Sequence, residues 1–223
     1  MPIIISLGGS VIINEKTQLP DTKFLKEFIN LIKSFKQKRF IIVCGGGTTA
    51  RNYMQALKKI SNPTSKELDL LGIEATLLNA ALLKLAFKEY AHKTIAQNPT
   101  KRIRFKHVLI AAGWLPGHST DYDAVLWAKT YKEKQIINIT CVDMLHDKDP
   151  RIYSDAKPIP RATWKEFFKI INSKWHPGMK APFDPIASRL ASKLKLTLIL
   201  VGRNIENLRN LIKGKAFKGS IIE

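Results

Sequence analysis

Acids and cysteine are what this chain has least of. Eighteen Asp and Glu stand against thirty-seven Lys and Arg, a formal charge of +19, and there are only two cysteines in 223 residues. Two cysteines exclude the disulfide framework of a small secreted scaffold. Cys44 and Cys141 both sit in apolar, strand-like surroundings and are expected to be buried free thiols in a reducing compartment. No apolar run approaches the length needed to cross a bilayer, and Met1-Pro2-Ile3-Ile4-Ile5 lacks the basic start of a secretory signal. Internal repeats, low-complexity segments, zinc-ligand spacings and RNA-binding signatures are all missing. What remains is an ordinary cytoplasmic globular chain, 45% hydrophobic and 25% charged, of a length that suits one α/β domain over residues 1–223. The positive charge raises the question of nucleic acid. The lysines are scattered, however, and even the densest stretch, Lys84 to Lys106, reads as a solvated face. Such a charge also attracts small polyanions.

What is present starts with glycine. Gly45-Gly46-Gly47 follows the apolar run Phe40-Ile41-Ile42-Val43-Cys44 and opens a helical segment with Ala50, Tyr53, Met54 and Leu57 on one face. Gly8-Gly9-Ser10 follows Ile3-Ile4-Ile5 in the same way. A strand that ends in glycines feeding a helix brings free N–H groups and the helix dipole close to an anion. A single such turn is also explained by close packing; two in the first fifty residues point to two anionic groups or one long polyphosphate, and so to phosphoryl transfer.

The rest of the chain alternates strand and helix, which predicts a mainly parallel sheet with helices on both faces, a three-layer α/β/α sandwich. Strands are expected at 2–7, 39–44, 107–112, 135–142 and 196–201, the last of these being the last clear strand. Helices are expected after Asp21 or Thr22, from Thr48, from Ser65 as cap through Tyr90, over 121–131, from Thr163 to Ile171, after Asp184-Pro185, and over 204–213. The polar stretch 143–160 reads as a functional loop.

In this order the motifs resemble the amino acid kinase superfamily, and within it the archaeal-type uridylate (UMP) kinases. The residues that carry the resemblance are Ser6-Leu7-Gly8-Gly9-Ser10, Gly45-Gly46-Gly47 with Arg51, Asp69-Leu70-Leu71-Gly72-Ile73 with Thr76 and Asn79, Pro116-Gly117-His118-Ser119-Thr120-Asp121, Val142-Asp143 with Asp149-Pro150, and Asp184-Pro185-Ile186-Ala187. The resemblance implies the amino acid kinase fold and transfer of the γ-phosphoryl of ATP, with Mg²⁺, to UMP. It further implies that Ser6, Leu7, Gly8, Gly9 and Ser10 lie against the ATP phosphates, with Gly47 on the ATP side and Gly46 facing UMP. Arg51 offers a planar fork to a phosphate, and Gly9, Arg51 and Lys180 are the candidate catalytic residues, Lys148 being the alternative lysine. Thr140, Cys141, His146 and Asp149 fall where adenosine is held. Asp69 contacts the nucleoside of UMP, and Trp114, Leu115, Pro116, Gly117, His118, Ser119 and Thr120 wrap the acceptor. No metal-ligand set of the protein's own is expected. A homo-oligomer, often a hexamer, is implied, with no membrane or nucleic-acid partner.

Plainer readings stand beside these. Asp123 is expected to be a helix-start acid without a ligand, Asp184 either an N-cap or a site residue, and His118, His146 and His176 ordinary loop histidines. Cys141, Met144 and His146 replace the Asn, Gly and Tyr usual in such relatives, which leaves a nucleotide-binding relative with weak activity as an alternative. A kinase of acyl carboxylates such as acetylglutamate is another, and a basic nucleic-acid module is a third. Gly9→Val is expected to abolish ATP binding and leave the fold largely intact.

Overall fold

The strands of this protein are apolar at both parities, Ile4 as well as Ile5 and Ile41 as well as Ile42, the pattern of a sheet covered on both faces. The computed structural model describes residues 1–150, 152–174 and 181–223. Its strands are β1 (Pro2–Leu7), β2 (Arg39–Cys44), β3 (Val108–Ala111), β4 (Gln135–Ile139), a small hairpin of β5 (Leu145–His146) and β6 (Pro158–Ile159), then β7 (Arg161–Ala162), β8 (Thr197–Val201) and β9 (Ser220–Ile222). The helices are α1 (Gly9–Ile12), α2 (Thr22–Ser34), α3 (Gly47–Ile60), α4 (Ser65–Phe87), α5 (Thr120–Tyr131), α6 (Trp164–Lys174), α7 (Pro185–Lys193) and α8 (Ile205–Ile212).

The main sheet has the order β3-β2-β1-β4-β8-β9-β7. Pairing is parallel from β3 to β8, and β9 then runs antiparallel to β8 and parallel to β7. The chain steps outward on one side of β1 through β2 and β3, and on the other side through β4 and β8. The reversal between β1 and β4 is a topological switch point, and open α/β sheets bind ligands at the carboxyl ends of the strands there. Gly8, Gly45 and Thr140 stand just past the ends of β1, β2 and β4.

Two apolar layers flank the sheet. Phe28, Leu31, Ile42, Phe87 and Leu208 belong to the layer under α2, α4 and α8. Trp127, Phe167, Phe183, Ile136 and Leu198 belong to the layer under α5, α6 and α7. The three-layer sandwich expected from the sequence is therefore the fold. Asp21 caps α2 through the Phe24 N–H, and its other oxygen is bound by Arg203 from the loop after β8. Asn204 caps α8.

Five details differ from expectation. α4 is capped by Thr64, in a capping box with Glu67, rather than by Ser65, because the Thr-x-x-Glu spacing satisfies both reciprocal bonds. The last strand is β9, not β8; three residues near the chain's end are too few to show a period. The 143–160 stretch contains the β5–β6 hairpin. Cys141 is exposed, since β4 ends at Ile139, while Cys44 is buried and its thiol is pushed far up. Finally, Ser65–Tyr90 is long and apolar enough to cross a membrane by length and composition. Here that helix packs on α3 and the sheet, as the core helix of a globular fold does.

The two glycine turns meet backbone to backbone. A Cβ on Gly9 would stand 2.0 Å from Gly47 N and 2.5 Å from its Cα, and one on Gly45 would stand 2.4 Å from Gly9 N. Gly47 also has φ +65, the left-handed region. Close packing and proximity to a ligand are thus one arrangement, and Gly9→Val does not spare the fold as the sequence suggested. It is expected to lower unfolding stability by about 3 kcal/mol or more, because backbone cannot yield as a side chain can. Urea melts of the variant and parent check this; equal midpoints would show that the turns can part.

Candidate active site

The carboxyl ends of β1, β2 and β4 open into a cavity of about 400 Å³, lined by both glycine turns, Arg51, Thr120, Asp121, Asn138, Thr140 to Val142 and Met144 to Pro150. α3 and α5 start at its wall, with Gly47 and Thr120 as their first residues. Their N-terminal N–H groups and dipoles give the cavity positive potential without any lysine.

α4 holds the loops in register. Asp69, Thr76 and Asn79 are seven and three residues apart and so share a helix face. The Asn79 amide donates to the carbonyls of Gly45 at 2.8 Å and Gly46 at 3.3 Å. Thr76 Oγ1 accepts from the Gly113 N–H at 2.8 Å and passes its own proton to Ile73 O. Asp69 Oδ2 accepts from the Gly117 N–H at 2.7 Å. One helix therefore positions both the triple glycine and the loop 113–117.

Arg51 bonds Glu15 at 3.2 Å, both side chains being well exposed. Such a pair is worth about 0–1 kcal/mol, so an anionic ligand can take the guanidinium. Lys148 lines the cavity with its ammonium on Asp155 and above the Tyr153 ring. Cys141 Sγ contacts the Ser10 carbonyl at 3.2 Å, joining the first turn to the β4 end. His146 Nδ1 lies 2.9 Å from Met144 O, and Thr140 Oγ1 accepts from the Val142 N–H.

Two carboxyls at the start of α5 have surroundings that sequence reasoning did not foresee. Asp121 accepts from Ser6 Oγ at 2.7 Å and from the Asp184 N–H at 3.1 Å. Burial nonetheless raises its pKa to about 6, with the Asp184 carboxylate adding to the rise. Asp123 is fully buried, accepts from the Trp114 N–H at 3.0 Å, and is raised by burial to about 7. It is a helix-start acid as expected, one that the fold buries. The available signal was two acids in one first turn after a Ser-Thr cap, one of them on the face that the apolar Ala124, Trp127 and Ala128 bury.

The expected residues divide into three groups. Gly8, Gly9, Ser10, Gly46, Gly47, Arg51, Thr120, Thr140, Cys141, His146 and Asp149 are brought together on the cavity wall. Ser6 and Leu7 are not: Ser6 gives its hydroxyl to Asp121, and Leu7 is a core side chain whose carbonyl accepts from Gly45 N. Asp69 and Trp114 to Ser119 form a separate cluster beside the cavity. In it, Ser119 is the N-cap of α5, accepting from Tyr122 N. His118 packs between Trp114 and Tyr122 rings at 5.5 and 4.5 Å. Asp184 caps α7, and its N–H donates to Asp121; it is the N-cap of the two readings, and it does not line the cavity. Lys180 and His176 lie outside the described residues.

Comparison with known proteins places this arrangement. The profile of the amino acid kinase family matches residues 1–202. The uridylate kinase of Thermoplasma acidophilum is 32% identical over 228 residues, covering 99% of this chain and 96% of the relative. That of Thermococcus kodakarensis is 33% identical over 230 residues, covering 100% of both. The crystal structure of uridylate kinase from Archaeoglobus fulgidus superposes with a TM-score of 0.82 at 28% identity, again covering 100% of both chains.

A carboxyl raised on folding favours its protonated form, so its contribution to stability is complete below about pH 4 and is lost as pH climbs through the raised value. For Asp121, moved from 3.8 to about 6, that loss is of the order of 3 kcal/mol between pH 4 and 7. Asp121→Asn is expected to gain on the parent by this amount across the same interval in chemical melts. A difference that stays constant with pH would show that Asp121 is not held up by burial.

Proposed function

Since this chain belongs to the amino acid kinase family, we propose that it transfers the γ-phosphoryl group of ATP to UMP, giving ADP and UDP. The observation that carries this is full-length likeness to uridylate kinases combined with an anion-binding cavity where two glycine turns meet. ATP enters as its Mg²⁺ complex, the ion being part of the substrate and spreading charge over the β- and γ-phosphates. The Gly8–Ser10 turn and Gly47 would face the ATP phosphates. Thr140, Cys141, His146 and Asp149 would form the adenosine wall, and Lys148 stands on the same wall as a cation within reach.

On the acceptor side, Gly46 and Arg51 would meet the UMP phosphate. Asp69 and the loop Trp114 to Thr120 would enclose the nucleoside. A UMP phosphate oxygen is already ionised and attacks the γ-phosphorus as ADP leaves, so no general base is needed. Catalysis then lies in alignment and in charge neutralisation by the α3 and α5 N-termini and Arg51. The protein would act as one domain over residues 1–223 and in the cytoplasm, where its nucleotides are.

Self-association is supported by one surface. Leu70, Leu78, Leu82 and Leu85 of α4 are exposed along one side of the helix, with Tyr53 and Ile60 of α3 exposed nearby in sequence. Monomers rarely leave an apolar stripe of that kind open to water. A homo-oligomer, with a hexamer as the larger possibility, would cover it.

The deciding experiment is ADP release from ATP and Mg²⁺ with UMP, CMP, dUMP, AMP, acetylglutamate or aspartate as acceptor, products being identified by phosphorus NMR. UDP formed only with UMP or a close pyrimidine is the expected result. Turnover of acetylglutamate or aspartate would replace it with acyl-phosphate formation. ATP binding with no acceptor turned over would favour a binding protein whose altered wall, Cys141, Met144 and His146, no longer supports transfer. Asp69→Ala is expected to raise the KM for UMP about tenfold and leave that for ATP within twofold; equal changes in both would remove Asp69 from the acceptor side.

A further inference from the structure

Asp123 lies at the hub of the acceptor loop, and nothing in the transfer chemistry uses it. Its Oδ2 accepts the Trp114 N–H at 3.0 Å. Its Oδ1 has no hydrogen bond and sits 3.4 Å from His118 Nδ1, which is buried and likewise has no hydrogen bond among the described residues. Trp114 and His118 bound the 114–118 segment of the loop. Between them the loop is folded by the His118 N–H to Leu115 O bond at 3.1 Å and by Gly117 at φ +83. Asp69 holds it from outside through the Gly117 N–H. The Asp123 carboxyl thus grips both ends of the segment, the backbone at one and the imidazole at the other.

We propose that Asp123 is a positioning residue for UMP, acting through Trp114 and His118 to hold the acceptor loop in its binding posture. The inference rests on the reading that residues 114–120 enclose the acceptor. Chemistry favours a bridge of one proton. A buried carboxylate with no full countercharge is unfavourable, and burial raises Asp123 to about 7 while lowering His118. Below the raised value the carboxyl keeps its proton and donates it to Nδ1 of a neutral His118 whose own proton is on Nε2. The pair is then neutral. Loss of a proton to water leaves a net negative charge buried in the loop, an unfavourable state that opening the loop to water relieves.

The ionisable groups on the elements around it are Asp121, Tyr122, Lys129 and Tyr131 on α5, and Asp69 reaching in from α4. Asp184, Arg189 and Lys193 belong to α7, and Arg39 and Cys44 to β2. Among the described residues only His118 comes within ion-pair distance of Asp123. The posture therefore weakens as pH rises through about 7.

The test uses the full chain, with KM for UMP and ATP measured from pH 6 to 8.5. Asp123→Ala removes both grips and is expected to raise the KM for UMP about tenfold, leaving that for ATP within twofold. Asp123→Asn retains an oxygen for Trp114 and an N–H for Nδ1. It is expected to match the parent in UMP KM at pH 6.5 and to lose the parent's relative rise toward pH 8.5. UMP's own ionisation is common to both proteins and cancels in their ratio. An Asp123→Ala protein with unchanged UMP KM, or with both KM values raised alike, overturns the inference. Should that variant fail to fold, the Asn variant decides: a profile parallel to the parent's overturns the inference. If Asp69→Ala raises the UMP KM while Asp123→Ala does not, the inference fails and the acceptor-loop reading stands. If neither moves it, that reading fails and takes the inference with it.

Discussion

The contact on which the rest of the molecule depends is between two stretches of bare backbone. β1 and β2 are adjacent parallel strands in register from Pro2 and Arg39 to Leu7 and Cys44, so their following turns leave the sheet side by side. Any side chain at Gly9, Gly45 or Gly47 would push them apart. With none there, the turns close on each other, α1 and α3 start from the same spot, and the peptide N–H groups at those starts converge on one cavity. Packing and anion binding are the same fact seen from the two sides of the turn.

That contact needs a clamp, since glycine is the residue least inclined to keep one conformation. The clamp is α4. Its Asn79 fastens the carbonyls of the triple glycine, Thr76 fastens Gly113, and Asp69 fastens Gly117. These polar residues stand in a helix rich in Leu and Ala. They occur where the helix passes loop backbone that needs hydrogen-bond partners. The two halves of the site, one built on the glycine turns and one on the loop before α5, are held at a fixed separation by a single rigid rod.

Most of the fold was legible from residues because its strands are buried on both faces and its helices carry ordinary caps. Ile3-Ile4-Ile5 and Phe40 to Val43 announce themselves, as do Asp21, Asn204 and Asp184-Pro185. β7 and β9 were not legible. A strand of two or three residues carries no period, and its pairing is decided by where the rest of the sheet leaves an open edge. Eleven of the expected site residues do share one cavity, because motif order follows strand order and strand order places the turns. Ser6 and Leu7 fell away for a local reason: the strand continues through them, and their side chains belong to the sheet. Asp123 was hidden for a different reason. A first-turn acid looks the same in sequence whether it faces water or a neighbouring loop, and only the path of residues 114–118 decides.

The β5–β6 hairpin has a consequence for how the molecule breathes. It carries one wall of the cavity, yet it is paired through only two residue pairs, Leu145 with Ile159 and His146 with Pro158, and reaches the main sheet through the Ser220 hydroxyl, which accepts from the Leu145 N–H and donates to the Ile159 carbonyl. Proline offers no N–H to that ladder, and Lys157 N–H to Asp147 is among the few bonds that extend it. The sheet core would exchange its amide hydrogens only on global unfolding, whereas this wall would exchange by local opening at far lower cost. A nucleotide held on that wall would supply part of its order. Amide protection in residues 144–149 and 157–159 would then read out occupancy of the cavity directly, without any turnover of substrate.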